Sequence, residues 1–196
     1  RVAACKIFTL WDYPWGVPLY AHYNAESWRR HTGGLCEVIL VNSTNVMQFI
    51  PDMPEEWPRL YLAAKSDAVR YALLYHHGGF YLDSDFLVVG DLAPLVRDLH
   101  KYDFISYENE GQRCTDGKFS SNFLGGRKGS KVHHAIWRMQ KVMIKDHCKP
   151  GFRTEARTCC YDDPSKDCHV PWASLGERIS HLVFKKLTAE GAVSHK

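Results

Sequence analysis

Two acidic residues and one acid–base pair carry the chemistry that this sequence can do. Asp83 and Asp85 stand one residue apart in the run Phe80-Tyr81-Leu82-Asp83-Ser84-Asp85. In an extended segment successive side chains alternate, so both carboxylates point to one side and Ser84 points away. Two such carboxylates repel each other unless a cation lies near them. A hard divalent ion, Mn2+ or Mg2+, takes oxygen ligands of this kind and bridges to substrate phosphates. Upstream, Asp67 and Arg70 are three residues apart and share one face of a helix. An acid beside a base on that face offers an acceptor and a donor to sugar hydroxyls. Each feature has an ordinary alternative. An Asp-x-Asp occurs in many loops, and an acid and a base at this spacing commonly form a surface ion pair worth a few tenths of a kcal/mol. What sets this stretch apart is the order Ser-Asp-x-x-Arg-Tyr-x-x-Leu-x-x-x-Gly-Gly-x-Tyr-x-Asp-x-Asp across residues 66–85.

Those residues need a helix, a stop and a strand to hold them. Apolar residues recur at three- and four-residue steps through Leu62, Val69, Ala72 and Leu73, which predicts a helix started by Ser66 or by the region of Pro58. Gly78-Gly79 ends it, because glycine takes a left-handed cap without penalty. Phe80-Tyr81-Leu82 then reads as a buried strand, and Phe86-Leu87-Val88-Val89 as its continuation to a turn at Gly90-Asp91. Before this unit, Lys6 to Leu10 reads as a first strand and Leu19 to His31 as a helix with Ala21, Ala25 and Trp28 on one side. Arg29, Arg30 and His31 complement that helix's C-terminus; phosphate binding by the two arginines is the alternative. Val38 to Val41 reads as a second strand ending on Asn42, and Asn45 to Ile50 as a short helix. Strand, helix and strand in alternation predict a parallel α/β sheet, whose ligands bind outside the carboxyl ends of the strands. Trp11, Asn42, Asp83 and Asp85 all fall near such ends, as for one shared cleft.

Ser66-Asp67, Arg70-Tyr71, Leu74, Gly78-Gly79, Tyr81, Asp83 and Asp85 give residues 63–90 a close resemblance to the sugar-binding-region glycosyltransferases that carry a DXD motif. That group includes yeast-type initiating mannosyltransferases, lactosylceramide α-galactosyltransferases and bacterial capsular polysaccharide synthesis transferases. The resemblance implies a GT-A-like, Rossmann-type α/β sheet flanked by helices, here without its C-terminal segment. It implies a metal-dependent transferase that moves a sugar from a UDP- or GDP-sugar to a glycan or glycolipid acceptor with retention. Asp85, and less directly Asp83, would hold Mn2+ or Mg2+, and both are the catalytic candidates. Trp11, Asp67, Arg70, Asp83 and Asn122 would bind the donor: Trp11 by stacking on the base, with Trp15 a weaker substitute, and Asn122 beside the sugar. A further C-terminal metal ligand is expected, and neither His181 nor His195 sits in a motif that identifies it.

The remaining chain bounds these expectations. It has 196 residues, 45% hydrophobic, with a net charge of +3 spread along its length. That suits a single domain with a sizeable core and no nucleic-acid partner. Residues 1–100 are read as the donor half and 101–196 as the acceptor-side half. No run is long enough to cross a bilayer. The chain starts at Arg1, not Met, and is read as a fragment or excised domain, so a signal or membrane anchor upstream stays open. Seven cysteines without a Cys-x-x-Cys pair argue against zinc and for disulfides in an oxidising compartment. The Golgi lumen is the expected location and a bacterial cytoplasm the alternative. Buried thiols remain the other reading for Cys5 and Cys36, which sit in or beside apolar runs. Asp103 to Tyr107 reads as a strand, Glu108 to Lys118 as a loop, and Leu175 to Leu187 as the last helix. Val132 to Asp146 reads as an amphipathic helix whose stripe is Val132, Ile136, Met139, Val142 and Met143; the adjacent His133 and His134 face apart and are read as structural. Two other functions compete: a phosphatase of the haloacid-dehalogenase type, with Asp83 as nucleophile, and an inactive sugar- or calcium-binding module.

Overall fold

The structure, a computed structural model, describes residues 5–107, 119–150, 168–171, 173–192 and 194. The expected loop at 108–118, together with Cys114, Cys159, Cys160, Trp172 and His195, lies outside them. Four strands form one mixed sheet in the order β2-β1-β3-β4. β1 (Cys5–Leu10) runs parallel to β2 (Cys36–Val41) and to β3 (Gly79–Leu82), and β4 (Phe123–Gly126) runs antiparallel to β3. The helices that connect them are α1 (Leu19–His31), the short α2 (Val46–Phe49), α3 (Leu62–His77) and α4 (Ala93–Asp98); α5 (Lys131–His147) and α6 (Ile179–Ala189) follow β4. Because β4 pairs with β3, one sheet draws on both halves of the chain.

Side-chain alternation along the strands divides the core. Phe8, Tyr81 and Leu124 face one way, into a cluster with α3, α5 and α6. Ile7, Phe80 and Leu82 face the other way, toward Trp28 of α1 and Val96 of α4. α3 is covered from Ala68 to Leu74, so the helix that carries Asp67 and Arg70 is a central element. It starts at Leu62, a turn before Ser66, because Tyr61 still has extended backbone angles and the Trp57–Arg59 turn ends just upstream. Gly78, at φ +69, closes it and donates its N–H to the Leu74 carbonyl. Gly79 then brings the backbone against β1 so closely that a Cβ there would lie 2.2 Å from the Lys6 carbonyl oxygen. The two glycines therefore do separate things: one ends the helix, the other admits β3 to the sheet.

Several expectations are corrected. Phe86 to Val89 is not a strand. The Asp83 carbonyl accepts from the Phe86 N–H (2.9 Å), closing a turn, and the segment beyond is held by α1. Asn24 Nδ2 donates to the Ser84 carbonyl (2.8 Å), Trp28 Nε1 to the Phe86 carbonyl (2.7 Å), and the Val88 N–H to Ser27 Oγ (3.2 Å). Backbone groups satisfied by helix side chains need no neighbouring strand. For the same reason Asp83 and Asp85 sit on a turn rather than along an extended strand. The Asp103 to Tyr107 segment is not a continuous strand: Ile105 bridges antiparallel to Gly125, while the Asp103 and Phe104 N–H groups donate to the Ser194 carbonyl. The stripe of α5 is rotated from the expected one: Val132, His133, Ile136, Trp137, Gln140 and Ile144 are buried, while Met139 and Val142 are exposed. The polar members make it work. His133 Nε2 meets the Gly125 carbonyl at 3.2 Å, and burial pushes its pKa down to about 4, so it serves as a neutral core residue. The last helix is preceded by a π turn, Ser174–Arg178.

Cys5 and Cys36, register partners on β1 and β2, are disulfide-bonded, so the free-thiol reading for them is wrong. Cys148 and Cys168 form a second bridge. Among the described residues no helix is long and apolar enough to cross a membrane.

Candidate functional site

A cleft of about 590 Å³ opens beyond the carboxyl ends of β1 and β3. Trp11 follows β1, Asp83 and Asp85 follow β3, Asn122 precedes the antiparallel β4, and α3 supplies Ser66, Asp67 and Arg70. The cleft thus gathers Trp11, Asp67, Arg70, Asp83, Asp85 and Asn122. Asn42 and Trp15 lie outside it: both line an adjoining pocket that shares Trp11 and Tyr13 with the cleft, and Asn42 Oδ1 accepts from the Thr44 N–H and hydroxyl.

Arg70 is the centre of the arrangement and is only 4% exposed. Its Nη1 donates to the Ser121 carbonyl (2.7 Å) and Oγ (2.5 Å), and its Nε to the Ser66 carbonyl (3.3 Å). Nη2 meets Ser66 Oγ (2.9 Å), Asp67 Oδ1 (3.2 Å) and Asp83 Oδ1 (3.3 Å). The guanidinium also lies over the Tyr81 ring, 5.2 Å from its centroid. Burial works against its charge, but Asp83 and Asp67 outweigh burial and keep it protonated. With its N–H groups on protein acceptors, Arg70 joins α3, the Asp83 turn and the bend leading into β4. It orients the two carboxylates instead of projecting past them.

The carboxylates differ from one another. Asp83 is part-covered, tied to Arg70 and Ser66, and its N–H donates to the Asn122 carbonyl at 2.9 Å. Burial raises its pKa, Arg70 pulls the other way, and the charge of Asp85 adds to the rise. Asp67 is more enclosed. Burial, opposed by Arg70 and reinforced by Asp83 and Glu177, pushes it up to about 6. Asp85 is exposed and its carboxylate has no hydrogen-bond or ion-pair partner among the described residues. Four carboxylates (Asp67, Asp83, Asp85 and Glu177) therefore line the cleft against one guanidinium.

That surplus fits a divalent cation, and Asp85 is the group free to hold one. Among the described residues no three His, Cys, Asp or Glu side chains are gathered as a ready-made metal cage. An ion here would draw its other ligands from water and from a phosphate-bearing ligand, as Mg2+ commonly does. His181 does not line the cleft; its ring packs against Phe119 at 6.2 Å.

Trp11 lies in the cleft wall but is 7% exposed, covered by Tyr13 at a ring distance of 4.7 Å. Trp15 stacks on the far side of Tyr13 at 4.8 Å and is 62% exposed. The rings most open to a ligand are thus Tyr13, Trp15 and Tyr20, not Trp11. Asn122 Oδ1 accepts from Tyr107 (2.7 Å) and from Ser120 (2.7 Å), which leaves its amide NH2 without a partner among the described residues. Sequence reasoning missed Tyr13, Tyr20, Ser121, Tyr107 and Glu177. For Tyr13 the aromatic-rich turn was a usable signal; for Glu177, about a hundred residues from the motif, there was none.

Residues 18–104 match the family model described as a glycosyltransferase sugar-binding region containing a DXD motif. Residues 18–104 are similar to a glycosyltransferase sugar-binding region. The match contains Asp67, Arg70, Asp83 and Asp85, and leaves out Trp11, Asn122 and Glu177. No curated protein sequence matches the chain. Among solved structures it is similar to the apo form of the glycosyltransferase GlyE of Streptococcus pneumoniae TIGR4, at 16% identity and a TM-score of 0.46. That alignment covers 98% of this chain and 44% of GlyE, so the chain spans less than half of GlyE's length. The matched residues include the helix, the double glycine and the Asp-x-Asp turn; Trp11, Tyr13, Tyr107, Asn122 and Glu177 of the cleft wall lie on either side of them.

Proposed function

We propose that this protein is a metal-dependent glycosyltransferase that moves a sugar from a UDP- or GDP-sugar to a glycan or glycolipid acceptor. The observation that carries the reading is the asymmetry of the motif: Asp83 is locked to Arg70, while Asp85 presents a free carboxylate to the cleft. A bound Mn2+ or Mg2+ supplies positive charge against the leaving nucleoside diphosphate. Asp85 is the residue to hold it. Asp83, held by Arg70 and Ser66, fixes the direction in which the turn presents Asp85 and accepts a hydrogen bond from the donor. Asp67 and the Asn122 amide stand where sugar hydroxyls can be gripped, which is a positioning effect. Tyr13, Tyr20 and Trp11 form an aromatic wall suited to a base face, Trp11 from behind the other rings. Without a cation the surplus of carboxylates repels a diphosphate, so donor binding should require the metal.

Retention of anomeric configuration follows from the family resemblance and completes the proposal. The two disulfides among the described residues favour an oxidising compartment, such as a Golgi lumen with an anchor elsewhere in the protein, over a bacterial cytoplasm. The test is calorimetry of UDP, GDP and their sugars with and without Mn2+, on the wild type and on Asp85→Ala. Metal-dependent nucleotide binding that disappears in Asp85→Ala, with the melting temperature unchanged, is expected. Metal-dependent binding that persists in the variant would sink the assignment of Asp85.

A further inference from the structure

The π turn at Ser174–Arg178 places a carboxylate in the cleft that the motif does not supply. Ala173, which also lines the cleft, takes a left-handed backbone at φ +60, a strained choice for a residue with a Cβ. Gly176 then passes directly over Asp67: a Cβ there would stand 2.7–2.8 Å from that side chain's carboxyl atoms. Gln140 of α5 ties the two segments by donating to the Asp67 carbonyl (2.9 Å) and to the Leu175 carbonyl. The turn is thus built onto α3 at the level of Asp67, and its next residue is Glu177.

Glu177 Oε2 is buried and has no hydrogen-bond partner among the described residues. A carboxylate oxygen taken out of water is normally paired, because leaving it bare costs more than a typical hydrogen bond contributes. Here the neighbouring groups make matters worse. Asp67 feels the charge of Glu177 as a repulsion, and the guanidinium that lines the cleft, Arg70, already bonds Ser66, Ser121, Asp67 and Asp83. A carboxylate in such a place wants a neutral O–H donor.

We propose, on the footing of the transferase reading, that Glu177 is a specificity-determining residue for the donor. Its carboxylate accepts a hydrogen bond from a hydroxyl of the sugar being transferred, beside the hydroxyls addressed by Asp67. The ligand class is the neutral, hydroxyl-bearing pyranose end of the nucleotide sugar, not its diphosphate. The C-terminal part of the chain therefore completes a sugar site that the sugar-binding region begins.

The experiment compares nucleoside diphosphate with nucleotide sugar, in the presence of Mn2+, for wild type, Glu177→Gln and Glu177→Ala. A hydrogen bond to a charged group is worth enough that losing it should weaken sugar-nucleotide binding by about tenfold or more. Binding of the bare diphosphate should stay within about twofold, since Glu177 has no part in it. A panel of monodeoxy donors should contain one that wild type and Glu177→Ala bind equally, which identifies the hydroxyl. If the alanine variant melts early, the glutamine variant keeps the shape and decides the matter. Unchanged sugar-nucleotide affinity in both variants overturns the proposal, and so does an equal loss for diphosphate and sugar nucleotide. A wild type that binds no nucleotide sugar with metal sinks the transferase reading itself, before any variant is made.

Discussion

Asp67 is held in the fold against its own burial, and Asp67→Asn should make the protein more stable while disabling it. Burial holds the Asp67 carboxyl up to about 6; Arg70 on the same helix opposes the rise, and Asp83 after β3 and Glu177 on the π turn add to it. The ordinary value is 3.8. Between the two, the folded protein keeps a proton that the unfolded chain has released. The unfolded state then binds fewer protons, so stability falls as pH rises from near 4 to near 6. At about 1.4 kcal/mol for each pH unit in that window, ionised Asp67 costs the fold on the order of 3 kcal/mol above it. The asparagine variant keeps the shape and an acceptor oxygen but never ionises. At pH 8 it should exceed wild type by roughly 2–3 kcal/mol in urea unfolding, or by about 5–10 °C in Tm for a chain of this size. At pH 4, where wild type is itself protonated, the two should coincide. Sugar-nucleotide binding should fall in the variant at every pH. A variant less stable than wild type at pH 8, or a difference that does not change with pH, would refute the electrostatic reasoning.

Other perturbations test the scaffold. Asn24→Ala removes the bond that α1 makes to the Ser84 carbonyl; we expect a loss of about 1 kcal/mol in stability and a weaker metal-dependent nucleotide affinity, read by calorimetry. Gly79→Ala forces a Cβ into the Lys6 carbonyl from a backbone at φ +101, so it should cost about 3 kcal/mol or more and yield little folded protein by circular dichroism. Reduction should lower Tm, because the Cys5–Cys36 and Cys148–Cys168 bridges close loops of 31 and 20 residues, each worth roughly 3–4 kcal/mol in chain entropy; a melt unchanged by dithiothreitol would count against both bonds.

Much of the architecture was legible because it is local. The α3 helix, its glycine stop and β3 follow from short-range periodicity and from what glycine permits, and the Asp-x-Asp follows from adjacency. What failed was of a different kind. Phe86 to Val89 has the composition of a strand, yet its Phe86 carbonyl and Val88 N–H bond the side chains of Trp28 and Ser27, which lie some sixty residues earlier. The stripe of α5 was misread because His133 and Gln140, polar by type, find partners inside the core. Trp11 has the right place in the chain for an aromatic platform, but Tyr13 covers it.

The sequence by itself determined which residues could hold a cation and a sugar, since residue type and a spacing of two or three positions are properties of a short stretch. Only the tertiary structure decided how their side chains are held. Arg70 reaches Ser121, fifty-one positions away, and in doing so fixes Asp67 and Asp83 and leaves Asp85 free. The packing of the π turn on α3 brings Glu177 to the same cleft. Contacts of that range depend on how helices and sheet close around a common core, and no local pattern encodes them.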